Sequence, residues 1–95
     1  MKIITIDCAQ ISDKETFHTV MEEKLEFPSW YGRNLDALYD CLTERGEMTE
    51  LVLVDYDLCR ETLGKYAEAL LSTLYHAALH NPKLEIRGLQ QDTEE

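Results

Sequence analysis

Leu51-Val52-Leu53-Val54 is the longest unbroken apolar run in the chain, four β-prone residues with no polar alternation. A strand of that kind belongs at the centre of a parallel sheet covered by helices, because both of its faces must be buried. Upstream, Lys2 to Ile6 (KIITI) is short and β-branched and predicts a first strand. Downstream, Leu84, Ile86 and Leu89 alternate with charged residues, which puts the last strand at an exposed side of the sheet. The segments between them have helical periodicity. Ser12 offers an N-cap oxygen with Glu15 three residues on, and Phe17, Val20, Met21 and Leu25 recur at helical spacing, so a helix is expected from Asp13 to Leu25. Phe27 to Gly32 breaks the period, since Pro28 biases Phe27 to extended geometry and Gly32 allows positive φ. Asn34 is a good N-cap for a helix of about ten residues that carries Leu35, Leu38 and Leu42 and ends near Gly46. Asp57 to Leu63 is expected as a short helix. Tyr66 to His80 then places Leu70, Leu71, Leu74, Ala77 and Ala78 on one stripe before Asn81-Pro82 stops it. Strands separated by helices imply right-handed crossovers and an α/β fold: a three-stranded parallel sheet with about four helices packed on it.

The chain has 95 residues, the size of one small domain, expected over residues 1–89. The acidic end, QQDTEE at residues 90–95, is expected to be disordered. A formal charge of −10 repels phosphate backbones and anionic headgroups, which argues against nucleic-acid or membrane partners. Asp7 interrupts the N-terminal apolar run before it could serve as an export signal, and no stretch approaches the roughly 20 residues of a membrane helix. A soluble, cytoplasmic protein is expected. Cys8, Cys41 and Cys59 are odd in number and irregular in spacing, fitting reduced, packed thiols and neither a disulfide framework nor a zinc pattern. His76 and His80 are four apart, as a zinc pair would be, but no further ligand lies at recognisable spacing. Neither a metal nor a cofactor is expected.

The helix after Asn34 has two unlike faces. Leu35, Leu38, Cys41 and Leu42 fall on one side, and Asp36, Tyr39, Asp40, Thr43 and Glu44 cluster on the other. Asp36, in the first turn, faces the positive end of the helix dipole. Asp40 lies beyond that turn, one turn from a like charge, where it costs the helix a few tenths of a kcal/mol. Local stability does not explain Asp40. Trp30 and Tyr31 precede this helix and Tyr39 lies within it; aromatics beside charged anchors suit an interface hot spot, although core packing is the other use open to Tyr31. Across residues 34–61 eight carboxylates face two arginines, a concentrated field that would steer a basic partner. A hydrolase using Asp36 and Asp40 is not expected, because catalytic carboxylates need a concave, partly desolvated site and this pair lies on a convex helix.

Residues 30–43, WYGRNLDALYDCLT, closely resemble the signature segment of the barstar family, intracellular inhibitors of barnase-type ribonucleases. The likeness extends over most of the chain and implies a barstar-like three-stranded parallel sheet with helices packed on it. It also implies inhibition without catalysis: a 1:1 complex in which the acidic helix and preceding loop plug the active site of a basic extracellular-type ribonuclease. In that role Asp40 matches the principal anchor, its carboxylate standing in a phosphate site among Arg and His donors. Asp36 matches the second acid, and Asn34, Thr43 and Trp30 match contacting positions, Trp30 standing where the family often has Tyr. Tyr39 replaces a common Trp and brings a phenol. Glu44 and Arg45 replace Gly and an aromatic of the best-known members, and the connection to Leu51 is about a residue longer. His76 stands where a third interfacial acid is expected, which makes that charge contact absent or pH-dependent. The alternative use of the same surface is an acidic interaction module, immunity- or antitoxin-like, for a different basic partner.

Overall fold

The computed structural model describes residues 1–89, so the acidic end at residues 90–95 lies outside the described residues. Three strands, β1 (Lys2–Asp7), β2 (Thr49–Val54) and β3 (Leu84–Leu89), pair in the order β1-β2-β3. Both pairings are parallel, with Ile4 opposite Leu51, Ile6 opposite Leu53 and Leu51 opposite Ile86. A short 3-10 turn (Cys8–Gln10) and helices α1 (Lys14–Leu25) and α2 (Leu35–Thr43) connect β1 to β2. Helices α3 (Tyr56–Leu63) and α4 (Lys65–His80) connect β2 to β3. The expected α/β architecture, a parallel three-stranded sheet with four helices, is the observed one.

The core gathers one face of the sheet and one stripe of each helix. Ile4 and Ile6, Leu51 and Leu53, and Leu84 meet Phe17, Met21 and Leu25 of α1, Leu38 and Leu42 of α2, and Ala67, Leu70, Leu74 and Ala77 of α4. Each large side chain taken fully out of water contributes about 1.5–3 kcal/mol. Val52 and Val54 alternate onto the other face of β2 and are buried outside that cluster. The helices therefore cover one face only. On the other face Thr5 and Arg87 lie in register with Val52, and Asp7 and Leu89 with Val54. The fully apolar run means burial on both faces, but not helices on both.

Boundaries shift where a side chain competes for them. Asp13, not Ser12, caps α1: it is extended (φ −159°, ψ 178°), and its carboxylate accepts from the Thr16 N–H at 2.8 Å. Ser12 instead sits 3.3 Å from the Thr16 hydroxyl, and no capping box with Glu15 forms. The second helix stops at Thr43 rather than near Gly46, because Arg45 turns inward to the Leu25 carbonyl (3.0 Å) and the Thr49 hydroxyl (2.7 Å). Helices α3 and α4 each begin one residue earlier than expected. Their junction is Gly64, at φ 60° and ψ −134°, a region closed to side chains. A Cβ there would meet nothing within 4 Å, so the demand is purely of the backbone. Replacing Gly64 with Ala is expected to destabilise the protein by about 1–3 kcal/mol with an unchanged urea m-value, since no contact is lost and only strain is added. Equal urea midpoints for the two proteins would show that the junction relaxes to another conformation.

Candidate functional site

Helix α2 is fixed at both ends and along one side. Asn34 is extended, its side-chain oxygen accepts from the Ala37 N–H at 2.8 Å, and its amide nitrogen donates to the Gly32 carbonyl at 3.4 Å. Asp36 lies in the first turn, where the helix dipole favours it. At the other end the amide of Asn81, 5% exposed, donates to the carbonyls of Leu42 (2.8 Å) and Arg45 (3.0 Å). Its oxygen accepts from the Lys83 N–H at 3.0 Å. Leu38 and Leu42 are fully buried against the core.

The outward face consists of Asp36, Asp40 and Glu44, all exposed, with Tyr39 and Thr43 half-buried. None of the three carboxylates has an ion-pair or hydrogen-bond partner among the described residues. The two arginines that flank α2 in the chain are bonded elsewhere. The Arg33 guanidinium reaches Glu22 of α1 at 2.8 Å and the Thr19 hydroxyl at 2.6 Å. Arg45 is committed to Leu25, Thr49 and, at 3.5 Å, Glu47. Trp30 stands 73% exposed beside this face, at the rim of a cavity of about 220 Å³ lined also by Leu25, Phe27, Pro28 and Cys41. Burial, with Glu44 and Asp40 adding, pushes the Cys41 thiol up, and all three cysteines are free.

Other expected site residues are partly engaged within the protein. Thr43 donates its hydroxyl to the carbonyls of Tyr39 (2.9 Å) and Asp40 (3.1 Å), leaving lone pairs as its outward chemistry. The Tyr39 phenol lies 3.1 Å from Nδ1 of His80, which crosses from α4. His76 is exposed one turn earlier on α4, its Nδ1 3.3 Å from the Ser72 hydroxyl. Among the described residues no group of three or more His, Cys, Asp or Glu is placed to hold a metal ion. No helix there is long and apolar enough to cross a membrane.

Tyr31 does not flank the acids. It is 4% exposed and packs on Phe27, with its hydroxyl 2.7 Å from Nδ1 of His18. His18, 2% exposed, has its other nitrogen 2.8 Å from the Tyr66 hydroxyl of α4. A neutral imidazole offers one donor and one acceptor, so one phenol accepts from His18 and the other donates to it. This triad ties α1, the loop at residues 27–34 and α4 together. Sequence reading passed over His18 and gave no sign of the supporting roles of Asn81, Arg45 and His80. His18 and Asn81 are buried polar groups whose side-chain partners lie far away in the chain, and periodicity carries no signal for them.

A sequence profile of the barstar family, described as barnase inhibitor, matches residues 1–90. The chain belongs to the barstar family. It is also 40% identical over 78 residues to a protein of Bacillus subtilis (strain 168) named "Putative ribonuclease inhibitor YrdF", covering 81% of this chain and 86% of the relative. In this barstar-family protein the loop that precedes α2 is tied through Tyr31 to a buried histidine. Burial, with the Arg33 and Lys14 charges added, holds His18 below the ordinary histidine value. As pH falls, the unfolded chain therefore takes up the proton before the folded one. The stability His18 contributes is complete above the unfolded value of about 6.5 and is lost as pH falls from there through the lower folded value. Urea unfolding from about pH 8 to pH 5 is expected to show declining stability, with a shallower decline in His18→Gln. Superimposable pH slopes for the two proteins would show that the buried imidazole is not the group responsible.

Proposed function

We propose that this protein inhibits a basic, barnase-type ribonuclease by forming a 1:1 complex that buries the enzyme's active site under α2 and the preceding loop. The observation that carries the proposal is the unpaired state of Asp36, Asp40 and Glu44 on a face whose neighbouring arginines point into the scaffold. A helix gains nothing locally from like charges one turn apart, so their use lies with a partner that supplies cations. Asp40, mid-helix and exposed, is the anchor: a carboxylate on a convex surface can enter a cleft built for RNA phosphate and take bidentate bonds from arginine. Asp36 is the second acid, and exposed Trp30 supplies flat apolar area for stacking on a ring of the enzyme. Asn34, Tyr39, Thr43, Glu44 and His76 form the surrounding contacts. The producing cell would hold the inhibitor in its cytoplasm and so protect its own RNA. No catalytic role is assigned to Asp36 or Asp40.

The second reading, an acidic immunity- or antitoxin-like module for another basic partner, draws on His76, an exposed imidazole where an interfacial carboxylate is expected. The two separate in a titration against a barnase-type ribonuclease at low and high salt. Stoichiometric inhibition is expected, with association slowed by salt because charge steers the encounter. Asp40→Ala is expected to weaken inhibition by about 30-fold or more, as truncation of a hot-spot anchor costs about 2 kcal/mol or more. Its thermal stability should equal or slightly exceed that of the parent, since a like-charge pair is relieved. An Asp40→Ala protein that inhibits normally would overturn the assignment. Absence of inhibition, with capture of a basic protein that is not a ribonuclease, would favour the second reading.

A further inference from the structure

We infer that Arg33 is a positioning residue for partner binding, acting as a three-point latch that holds the loop at residues 27–34 in its binding shape. The inference rests on the proposed inhibitor function. Arg33 lies between the exposed Trp30 and the acids of α2, where a free cation would oppose attraction of a basic partner. The structure puts its guanidinium to other use: it donates to the Glu22 carboxylate at 2.8 Å, the Thr19 hydroxyl at 2.6 Å and the Glu15 carbonyl at 3.1 Å. These three acceptors lie on successive turns of α1, and only a planar fork with several donors spans them.

The backbone beside the latch is strained. Arg33 has φ 57°, a left-handed conformation that is unfavourable for a side-chain-bearing residue. It is held there although the loop has few ties of its own. Tyr31 N–H donates to the Pro28 carbonyl at 3.0 Å, and the Asn34 amide reaches the Gly32 carbonyl at 3.4 Å. Tyr31 anchors the loop's middle to His18, and Arg33 anchors its end, one residue before the N-cap of α2. A loop with one anchor can swing about it; two anchors fix the direction in which Trp30 and Asp36 leave the scaffold. Ordering the loop before binding removes an entropy cost from the complex, the usual origin of slow dissociation in preorganised interfaces.

Charge and latch make opposite predictions, which is what makes the inference testable. If Arg33 acted only as a charge, Arg33→Ala would associate faster with a basic ribonuclease and leave no more quickly. As a latch, its loss is expected to raise the dissociation rate by about tenfold with association unchanged or slightly faster. Arg33→Lys keeps the charge and loses the fork, so it is expected to dissociate as fast as Arg33→Ala. Thr19→Val alters no charge and is expected to raise the dissociation rate by a smaller factor. All three are read by stopped-flow with a barnase-type ribonuclease, at melting temperatures checked against the parent. In the free protein, hydrogen exchange of the Tyr31 and Ala37 amides is expected to quicken in each variant. Full recovery of slow dissociation by Arg33→Lys, or parental dissociation rates in Arg33→Ala, would overturn the inference. If the parent protein fails to bind the ribonuclease, the inhibitor function fails, and unchanged amide exchange in Arg33→Ala and Thr19→Val would separately overturn the latch.

Discussion

A nine-residue helix with two aspartates one turn apart cannot hold its shape in water, and the rest of the structure follows from that constraint. Isolated helices shorter than about 12–15 residues are marginal even with favourable sequences. Helix α2 must therefore borrow its stability from outside. It does so along one side through Leu38 and Leu42, packed in a core that the 16-residue α4 dominates. At its ends the borrowing is polar, with Asn34 accepting from the Ala37 N–H and Asn81 donating to the Leu42 carbonyl of the last turn and to the Arg45 carbonyl just beyond it. Because support arrives from beneath and from the ends, the upper face is free to carry charge that a self-sufficient helix would have to neutralise.

The same division governs the cations. Nine lysines and arginines serve a chain with nineteen acids, so where each one goes decides where the negative field survives. Lys24 bonds the Thr5 carbonyl of β1, Lys83 the Gly46 carbonyl, and Lys14 lies over the Tyr66 ring. Arg33 and Arg45, the two closest to α2 in sequence, both point inward. Surface ion pairs contribute little to stability, so these placements matter less for the folding free energy than for the potential they leave at Asp36, Asp40 and Glu44. The buried His18 extends this logic to hydrogen bonding. Its two phenol partners come from the loop before α2 and from α4, so the piece that carries Trp30 is tied to the helix on which α2 rests.

Sequence reading recovered what periodicity encodes. The LVLV run, the leucine spacing after Asn34 and the alternation around Ile86 each reflect burial of one face, and burial is what builds the sheet and its helices. It went astray where two polar groups compete for one task. Ser12 and Asp13 both cap helices well, and the choice depends on which residue the chain leaves extended. The Tyr31 question turned on His18, thirteen residues away, whose partner could not be known without the fold. The early end of α2 depended on Arg45, and its C-terminal support on Asn81, thirty-nine residues beyond Leu42. The acidic face itself was legible because it violates local stability, a signal visible in sequence alone. Of the residues that hold that face in place, Asn34, Leu38 and Leu42 were legible from spacing and capping, while the roles of Asn81 and Arg45 depend on partners brought near only by the fold.

Residues on the outer face of α2 differ in how freely they could change. Asp36, Asp40 and Glu44 contribute nothing to the core, so substitution there alters the surface presented to a partner at little cost to the fold. Tyr39 is different. Its ring packs against the core and meets the His80 ring edge-on at 6.2 Å, while its phenol lies 3.1 Å from that imidazole. Nδ1 of His80 is also 3.0 Å from the His76 carbonyl, a group that can only accept. If Nδ1 carries the proton, it can serve that carbonyl and the phenol oxygen together; if it does not, the phenol must donate to it and the carbonyl goes without. A change of partner in this scaffold would therefore be easiest through the free carboxylates and hardest through Tyr39, whose replacement would have to be matched on α4.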